Sequence, residues 1–343
     1  MGSNKKDSEL KKEDNLVAVV ITDSFDDKFA ILTEGKPKCL LPLANKEMID
    51  YTLEFLQSSG IHDCYVYCAK FIKQIKTHLS QRQWVSNSNE PQIMRNKMNV
   101  SVIANENCHS FGDAMRDLDG KGLLRDHFVL TTADVISNVN LQPLLQEHRR
   151  RYQEDKNTTM TLLYKHADPG HHSRTKEQEV LLLTKGKNNR ILYHARANEA
   201  FEEDTKDKKT VQFPIELFQS SSSDGVNIRF DLVDAGIAIC APSVPLQFAD
   251  NFDCQTLDDF VRGSIEDDIA DHFLYAIVLG DTHNGLTWEG YATKVTDFLT
   301  YLSVTANVLN RWAYPMVPEA SRNTIGQKMY SMTRHNVYKV SIN

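Results

Sequence analysis

Short apolar runs of strand length alternate with stretches of helical period along most of this chain. The first run, Leu16-Val17-Ala18-Val19-Val20-Ile21, is unbroken and rich in β-branched residues, which predicts a strand buried on both faces. A polar turn over 22–28 follows. Residues 46–59 then read as a helix: Ile49, Leu53 and Leu56 share a face, Asn45 is placed to cap its start, and Gly60 suits a left-handed end. A strand over 63–69, a helix striped by Phe71, Ile75 and Leu79, a polar loop over 86–91 and a strand over 100–103 come next. A helix over 111–124, capped by Ser110, leads to a strand over 127–132. That succession predicts an α/β fold with a doubly wound, mainly parallel sheet. Beyond it the pattern gives a helix over 141–152, a strand over 158–164 and a hairpin of 179–183 and 190–194 around Lys187-Asn188-Asn189. A core strand over 229–242, short helices over 244–249 and 256–263, and strands over 272–279 and 287–291 follow. The longest helix spans 293–312. Its stripe of Val295, Phe298, Leu299, Leu302, Ala306 and Leu309 is expected to face the core.

Between the first strand and helix lies a loop of the size that holds phosphates in nucleotide-binding α/β domains. The stretch resembles the nucleotidyltransferase signature: a glycine-rich loop with an arginine, then Pro37-Lys38, then Leu41-Pro42-Leu43. Aligned on Leu32-Thr33, the signature's glycines fall on Asp23, Ser24 and Asp26, and its arginine on Lys28. Backbone N–H groups can wrap a triphosphate closely only where side chains are absent and φ is free to be positive. Two carboxylates where a phosphate would sit repel it by roughly several kcal/mol in a cleft of reduced dielectric. A Gly-Asp pair, its aspartate carrying magnesium in that superfamily, is matched by Ala133-Asp134, with Asp234 a weaker second candidate. A polar βα loop and a helix-capping Asp134 are the alternatives. The resemblance implies a nucleotidyltransferase-like (Rossmann-like) fold whose pocket, Asp23, Ser24, Asp26, Lys28, Lys38 and Asp134, is vestigial, with no catalytic residue, bound cofactor or metal.

Composition narrows the field. Of 343 residues 41% are hydrophobic and 25% charged, with net charge −7, an ordinary globular balance without the basic surface of a nucleic-acid binder. No apolar run approaches the roughly 20 residues of a membrane span, and no signal peptide is visible. The six cysteines form no Cys-x-x-Cys pair, which argues against zinc and fits the cytosol. Cys64 and Cys68 fall on one face of their strand as small core residues. The run His148-Arg149-Arg150-Arg151 reads as a solvated helix end, with partner binding as the other reading. His171-His172 reads as solvent-exposed. Residues 1–15 are a disordered lead-in, 199–209 an exposed excursion and 220–225 a turn. The domain plan is 1–15, 16–312 and a linker over 313–343.

Several separate segments carry a closer resemblance: Leu40-Leu41-Pro42-Leu43-Ala44-Asn45, Ile49-Asp50-Tyr51, Ala133-Asp134-Val135-Ile136-Ser137-Asn138, Ser222-Ser223-Asp224-Gly225, Asp250-Asn251-Phe252-Asp253 and Arg334-His335-Asn336. Together they resemble the epsilon-subunit family of eukaryotic translation initiation factor 2B, in order over 16–340 and including the altered loop. The resemblance implies a subunit of the guanine-nucleotide exchange complex for initiation factor 2, whose exchange activity lies in a C-terminal domain beyond a left-handed β-helix. It implies that the chain stops where that β-helix begins. This part would serve assembly with the paralogous gamma and other subunits and contact with initiation factor 2, without direct nucleic acid or membrane. The family's Asn-Phe motif matches Asn251 and Phe252, implying a partner contact; packing of Phe252 between helix and sheet, with Asn251 as a cap, is the competing reading. The other functional reading is an active sugar-phosphate nucleotidyltransferase such as a mannose-1-phosphate guanylyltransferase.

Overall fold

The fold is that of a computed structural model. It describes residues 16–317 apart from 45, 86–97, 169, 172, 173, 176, 177, 187, 197–212, 214–224, 268–271, 284 and 285. The readings of 1–15, Asn45, 86–91, His172, Lys187, 199–209, 220–224 and 318–343 lie outside the described residues.

The chain opens β1 (Val17–Ile21), α1 (Ala30–Thr33), β2 (Pro42–Leu43), β3 (Lys46–Glu47), α2 (Met48–Ser58), β4 (Asp63–Cys68), α3 (Ile72–Gln81) and β5 (Asn99–Ala104). It continues α4 (Phe111–Gly120), β6 (Phe128–Thr132), β7 (Val135–Ser137), α5 (Leu141–Glu154), β8 (Thr158–His166), β9 (Glu179–Lys185) and β10 (Arg190–Arg196). It closes β11 (Val226–Cys240), α6 (Val244–Asp250), α7 (Leu257–Glu266), β12 (Phe273–Leu279), β13 (Thr282–His283), β14 (Leu286–Thr287), β15 (Ala292–Lys294) and α8 (Phe298–Leu309).

Nine strands form one sheet in the order β5-β4-β1-β6-β11-β8-β12-β10-β9. β5, β4, β1 and β6 are mutually parallel, as are β8 and β12. β11 and β10 run against their neighbours. Both faces are covered, which is why β1 is apolar throughout: Ala18 and Val20 enter one core, Val19 and Ile21 the other. Leu53, Ile75, Leu144 and Val304 bring α2, α3, α5 and α8 to the first core. Met115, Phe248 and Phe260 bring α4, α6 and α7 to the second. Cys64 and Cys68 lie together in the first core, as their spacing predicts.

Several expectations change. The helix after the opening loop starts at Met48, with Glu47 as its N-cap and no side-chain cap bond, because residues 46–47 pair with 42–43 as a small hairpin. Of the strand expected over 287–291 only Thr287 is paired, at the end of β14; β15 starts just beyond it and pairs with β7. The last helix begins only at Phe298, where Asp297 and Thr300 form a capping box. Its expected stripe is largely outside: Leu299 and Leu302 are 66% and 65% exposed, while Thr300, Ser303, Val304, Asn307 and Val308 are buried. Apolar residues surround this helix, so spacing alone does not choose a face; the cap and the Asn307–Tyr291 hydrogen bond, 3.1 Å, do. The core continues past the helix to Ala313 and Met316. Finally, the basic run is solvated only in part: Arg149 and Arg150 are half-buried, but the residues on either side of them are not solvated. His148 is wholly buried against Thr161, 2.8 Å away, and Arg151, 2% exposed, pairs with Glu147 at 3.0 Å and lies over the Tyr275 ring. His171 is half-buried.

Glu47, Asp50 and His78 come together between α2 and α3, but the Arg82 guanidinium already lies among them, 2.7 Å from Glu47 and 3.4 Å from Asp50. With the Trp84 indole donating to Asp50 at 2.8 Å, the cluster is a latch between helices. Among the described residues no helix is long and apolar enough to cross a membrane.

Candidate functional site

β1 and β6 end side by side at the carboxyl edge of the sheet, the usual place for a ligand crevice in this kind of fold. A cleft of about 540 Å³ lies there, walled by the 23–28 turn, by the starts of α4 and α7, and by β11 and β15. A smaller depression of about 310 Å³ lies on the other side of the same turn and shares Asp23 to Asp26 and Lys38 with it.

The turn carries side chains where a glycine loop would offer bare backbone. Asp23 folds its carboxylate back onto the chain after β4, where it accepts hydrogen bonds from the amides of Ala69 (2.7 Å) and Lys70 (3.3 Å). Burial pushes its carboxyl up, against those bonds and the Thr22 hydroxyl. Asp26 accepts from the Lys28 amide at 3.1 Å and fixes the turn locally. The turn still needs one residue with positive φ, and Phe25 fills that place at φ 54, a costly choice for a bulky side chain. Burial lowers the Lys28 ammonium's pKa, Asp26 opposes the shift, and Lys38 and Lys294 add to it. Ser24 lines both depressions.

Asp134 stands between β6 and β7, 5% exposed. The Lys38 ammonium donates to it at 2.7 Å, and the Thr132 hydroxyl donates to its other oxygen. Burial raises the Asp134 carboxyl, but Lys38, Lys294 and these bonds outweigh it and hold the group below the usual range. Lys38 lines the cleft, and Asp134 is not among the lining residues.

Asp234 reaches the cleft because β11 bulges between Asp234 and Ala238, with Gly236 at φ +73. Its carboxylate accepts from the Gly236 amide at 2.8 Å and pairs with Arg196 at 2.8 Å. Arg196 also holds Asp258 at 2.8 Å. Burial raises the Asp258 carboxyl, but Arg196 and His194 outweigh it and bring it down to about 2. A divalent cation between Asp134 and Asp234 would have to displace Lys38 from one and Arg196 from the other. The donor set therefore does not fit a magnesium ion, the metal the superfamily implies. Arg196, Asp258 and Lys294 were not legible in the sequence, because tertiary structure brings them in with no spacing to mark them; Thr132 stands two residues before Asp134 and was read only as the end of a strand.

Asn251 and Phe252 lie in the connection from α6 to α7, whose far end, Gln255 to Asp258, forms one wall of the cleft. Phe252 is 69% exposed, not packed between helix and sheet. The N-cap of α7 is Thr256, while Asn251 accepts from the Asp253 amide at 3.0 Å.

The nucleotidyl transferase family model matches residues 27–172. The chain is 36% identical over 339 residues to the translation initiation factor eIF2B subunit epsilon of Dictyostelium discoideum, covering 98% of this chain and 44% of that protein. It is 35% identical over 330 residues to the subunit of the same name from Schizosaccharomyces pombe, covering 96% of this chain and 45% of that protein. The chain thus spans somewhat less than half the length of these curated relatives. Among solved structures, UDP-glucose pyrophosphorylase complexed with UDP-glucose superposes with a TM-score of 0.54 at 11% identity, covering 86% of this chain and 99% of that one. The fold is therefore that of the sugar nucleotidyltransferases, as the sequence implies.

Proposed function

Over nearly its whole length the chain is a member of the eIF2B epsilon-subunit lineage, and from that premise we propose that it is a non-catalytic assembly and interaction domain of the complex that exchanges guanine nucleotide on translation initiation factor 2. In this reading residues 16–312, with the core reaching on to Met316, form a nucleotidyltransferase-like unit that has lost its transferase chemistry, and the chain beyond leads on towards a β-helix. Exchange itself is carried by a further domain, the partners are the paralogous gamma and other subunits, and the compartment is the cytosol. Asn251 and Phe252 contact initiation factor 2.

The observation that carries the loss of chemistry is the Lys38–Asp134 pair, 2.7 Å apart and 6% exposed on both sides. A carboxylate already neutralised by an ammonium is a poor magnesium ligand. Asp23, spent on the amides of Ala69 and Lys70, supports the same conclusion at the phosphate seat. Calorimetric titration with GTP and with ATP, each with and without magnesium, tests it. The expected result is no metal-dependent binding and no release of pyrophosphate when a sugar phosphate is added. Metal-dependent binding with turnover of GTP and mannose 1-phosphate would establish the guanylyltransferase reading instead.

A further inference from the structure

The connection from α6 to α7 puts a large aromatic ring in solvent, yet the loop beneath the ring is tied down throughout. Arg116, on α4 and with its side chain 12% exposed, aims its guanidinium under this loop. One nitrogen donates to the carbonyls of Phe248 (3.1 Å), Asn251 (3.4 Å) and Cys254 (3.4 Å), and the other donates to the Asp113 carboxylate at 3.0 Å. The same guanidinium lies 5.1 Å from the centre of the Phe252 ring. One turn earlier on α4, the Gly112 amide donates to the Gln255 carbonyl at 3.0 Å. A Cβ at Gly112 would overlap the Cys254 carbonyl oxygen, so only glycine lets the helix approach this closely. The Gln255 amide group closes the loop by donating to the Phe252 carbonyl at 2.7 Å.

We propose that Arg116 is a positioning residue: with Gly112 it holds the 251–255 loop so that Phe252 projects in one fixed orientation, ready to enter a partner. The inference rests on the reading of Phe252 as a contact with initiation factor 2 and deepens it. An exposed ring held rigid before association loses little freedom on docking, which is how a single aromatic comes to dominate an interface. Arg116 covers part of the ring, and Asp250 and Asp253 stand exposed beside it. The surface that accepts it is therefore an apolar slot with a basic rim.

The test uses the full-length subunit in its assembled complex and measures two things: affinity for initiation factor 2, and hydrogen exchange of the amides of Asn251 and Asp253. Arg116→Ala is expected to speed those amides by roughly tenfold or more, as loss of about one to two tethering hydrogen bonds would. It should weaken binding nearly as much as Phe252→Ala does, and should add nothing in the Phe252→Ala background. Gly112→Ala, whose Cβ would overlap the Cys254 carbonyl and crowd the Arg116 guanidinium, should reproduce both effects, and Arg116→Lys, which has no second nitrogen to hold the Asp113 carboxylate while the first holds the loop carbonyls, should not rescue them. Unchanged amide exchange in Arg116→Ala, or a binding loss that adds fully to that of Phe252→Ala, overturns the positioning role. Unchanged binding in Phe252→Ala overturns the contact reading itself and removes the role with it. If Arg116→Ala does not assemble, Gly112→Ala and Arg116→Lys decide the matter alone.

Discussion

At the scale of single residues, the candidate site is defined by how its charges are used up. Lys38 and Asp134 are far apart in sequence, and each could be read alone as a remnant of a catalytic pocket. In the fold they neutralise one another out of solvent. Such a pair is costly to break from one side, because the surviving charge stays buried; removing both together is far milder. Lys38→Met should therefore lower unfolding stability by roughly 3–5 kcal/mol, and Lys38→Met with Asp134→Leu should recover most of the loss. Urea midpoints of the three proteins check this, and a double variant as unstable as the single one would show that the pair does more than cancel charge. The same neutralisation explains how far the sequence went. The absent glycines at Asp23, Ser24 and Asp26 were visible at once, and so was the match of Asp134 to a metal-bearing position. That Asp23 would turn to the amides of Ala69 and Lys70, or that Arg196 would tie Asp234 to Asp258, depends on contacts between segments tens of residues apart.

At the scale of elements, the hydrophobic pattern served well for strands and for helices with one apolar stripe, and failed for a helix that is apolar on several sides. The strands of the nine-stranded sheet and the helix expected over 141–152 were legible because both-face burial gives unbroken runs and one-face burial gives a clear stripe. In α8 apolar residues surround the axis, and the face is chosen by Asp297, Thr300 and Asn307. This choice predicts an inverted mutational pattern. Leu299→Ser and Leu302→Ser, on the exposed side, should each change stability by no more than about 0.5 kcal/mol. Val308→Ala, on the buried side, should cost roughly 2 kcal/mol from two lost methyl groups and the space they leave. Asp297→Ala should cost about 1 kcal/mol by removing the cap. Thermal or urea unfolding of these four variants suffices. Large losses at Leu299 and Leu302 with none at Val308 would restore the face read from the sequence.

At the scale of the whole molecule, histidines locked inside the sheet's two flanks couple folding to pH. His148 is wholly buried between α5 and β8. Burial first, and then the neighbouring His127, Arg151 and Arg149, bring its pKa down from 6.5 to about 3. His194, on β10, falls from 6.5 to about 4, chiefly by burial, with Asp258 opposing and Arg196 adding. Both pKa values lie below those of the unfolded chain, so the unfolded state takes up protons that the folded state refuses. Their contribution is fully present above pH 6.5 and is lost as pH falls towards about 4 for His194 and about 3 for His148. Well inside that window each histidine should remove roughly 1.4 kcal/mol per pH unit. By pH 5 the two together should have cost on the order of 4 kcal/mol, a large share of the stability of an ordinary domain. Asp258, held at about 2, weakens the fold only at more acid pH, because its contribution is lost below 3.8. Urea midpoints at pH 7, 6 and 5 should therefore fall steeply, and His148→Gln should flatten the curve by about half, since one of two comparable groups no longer titrates. A midpoint that stays level from pH 7 to pH 5 would mean that these rings take up protons in the fold as readily as in the open chain. The burial that packs α5 and β10 onto the sheet would then not set the acid limit of the molecule.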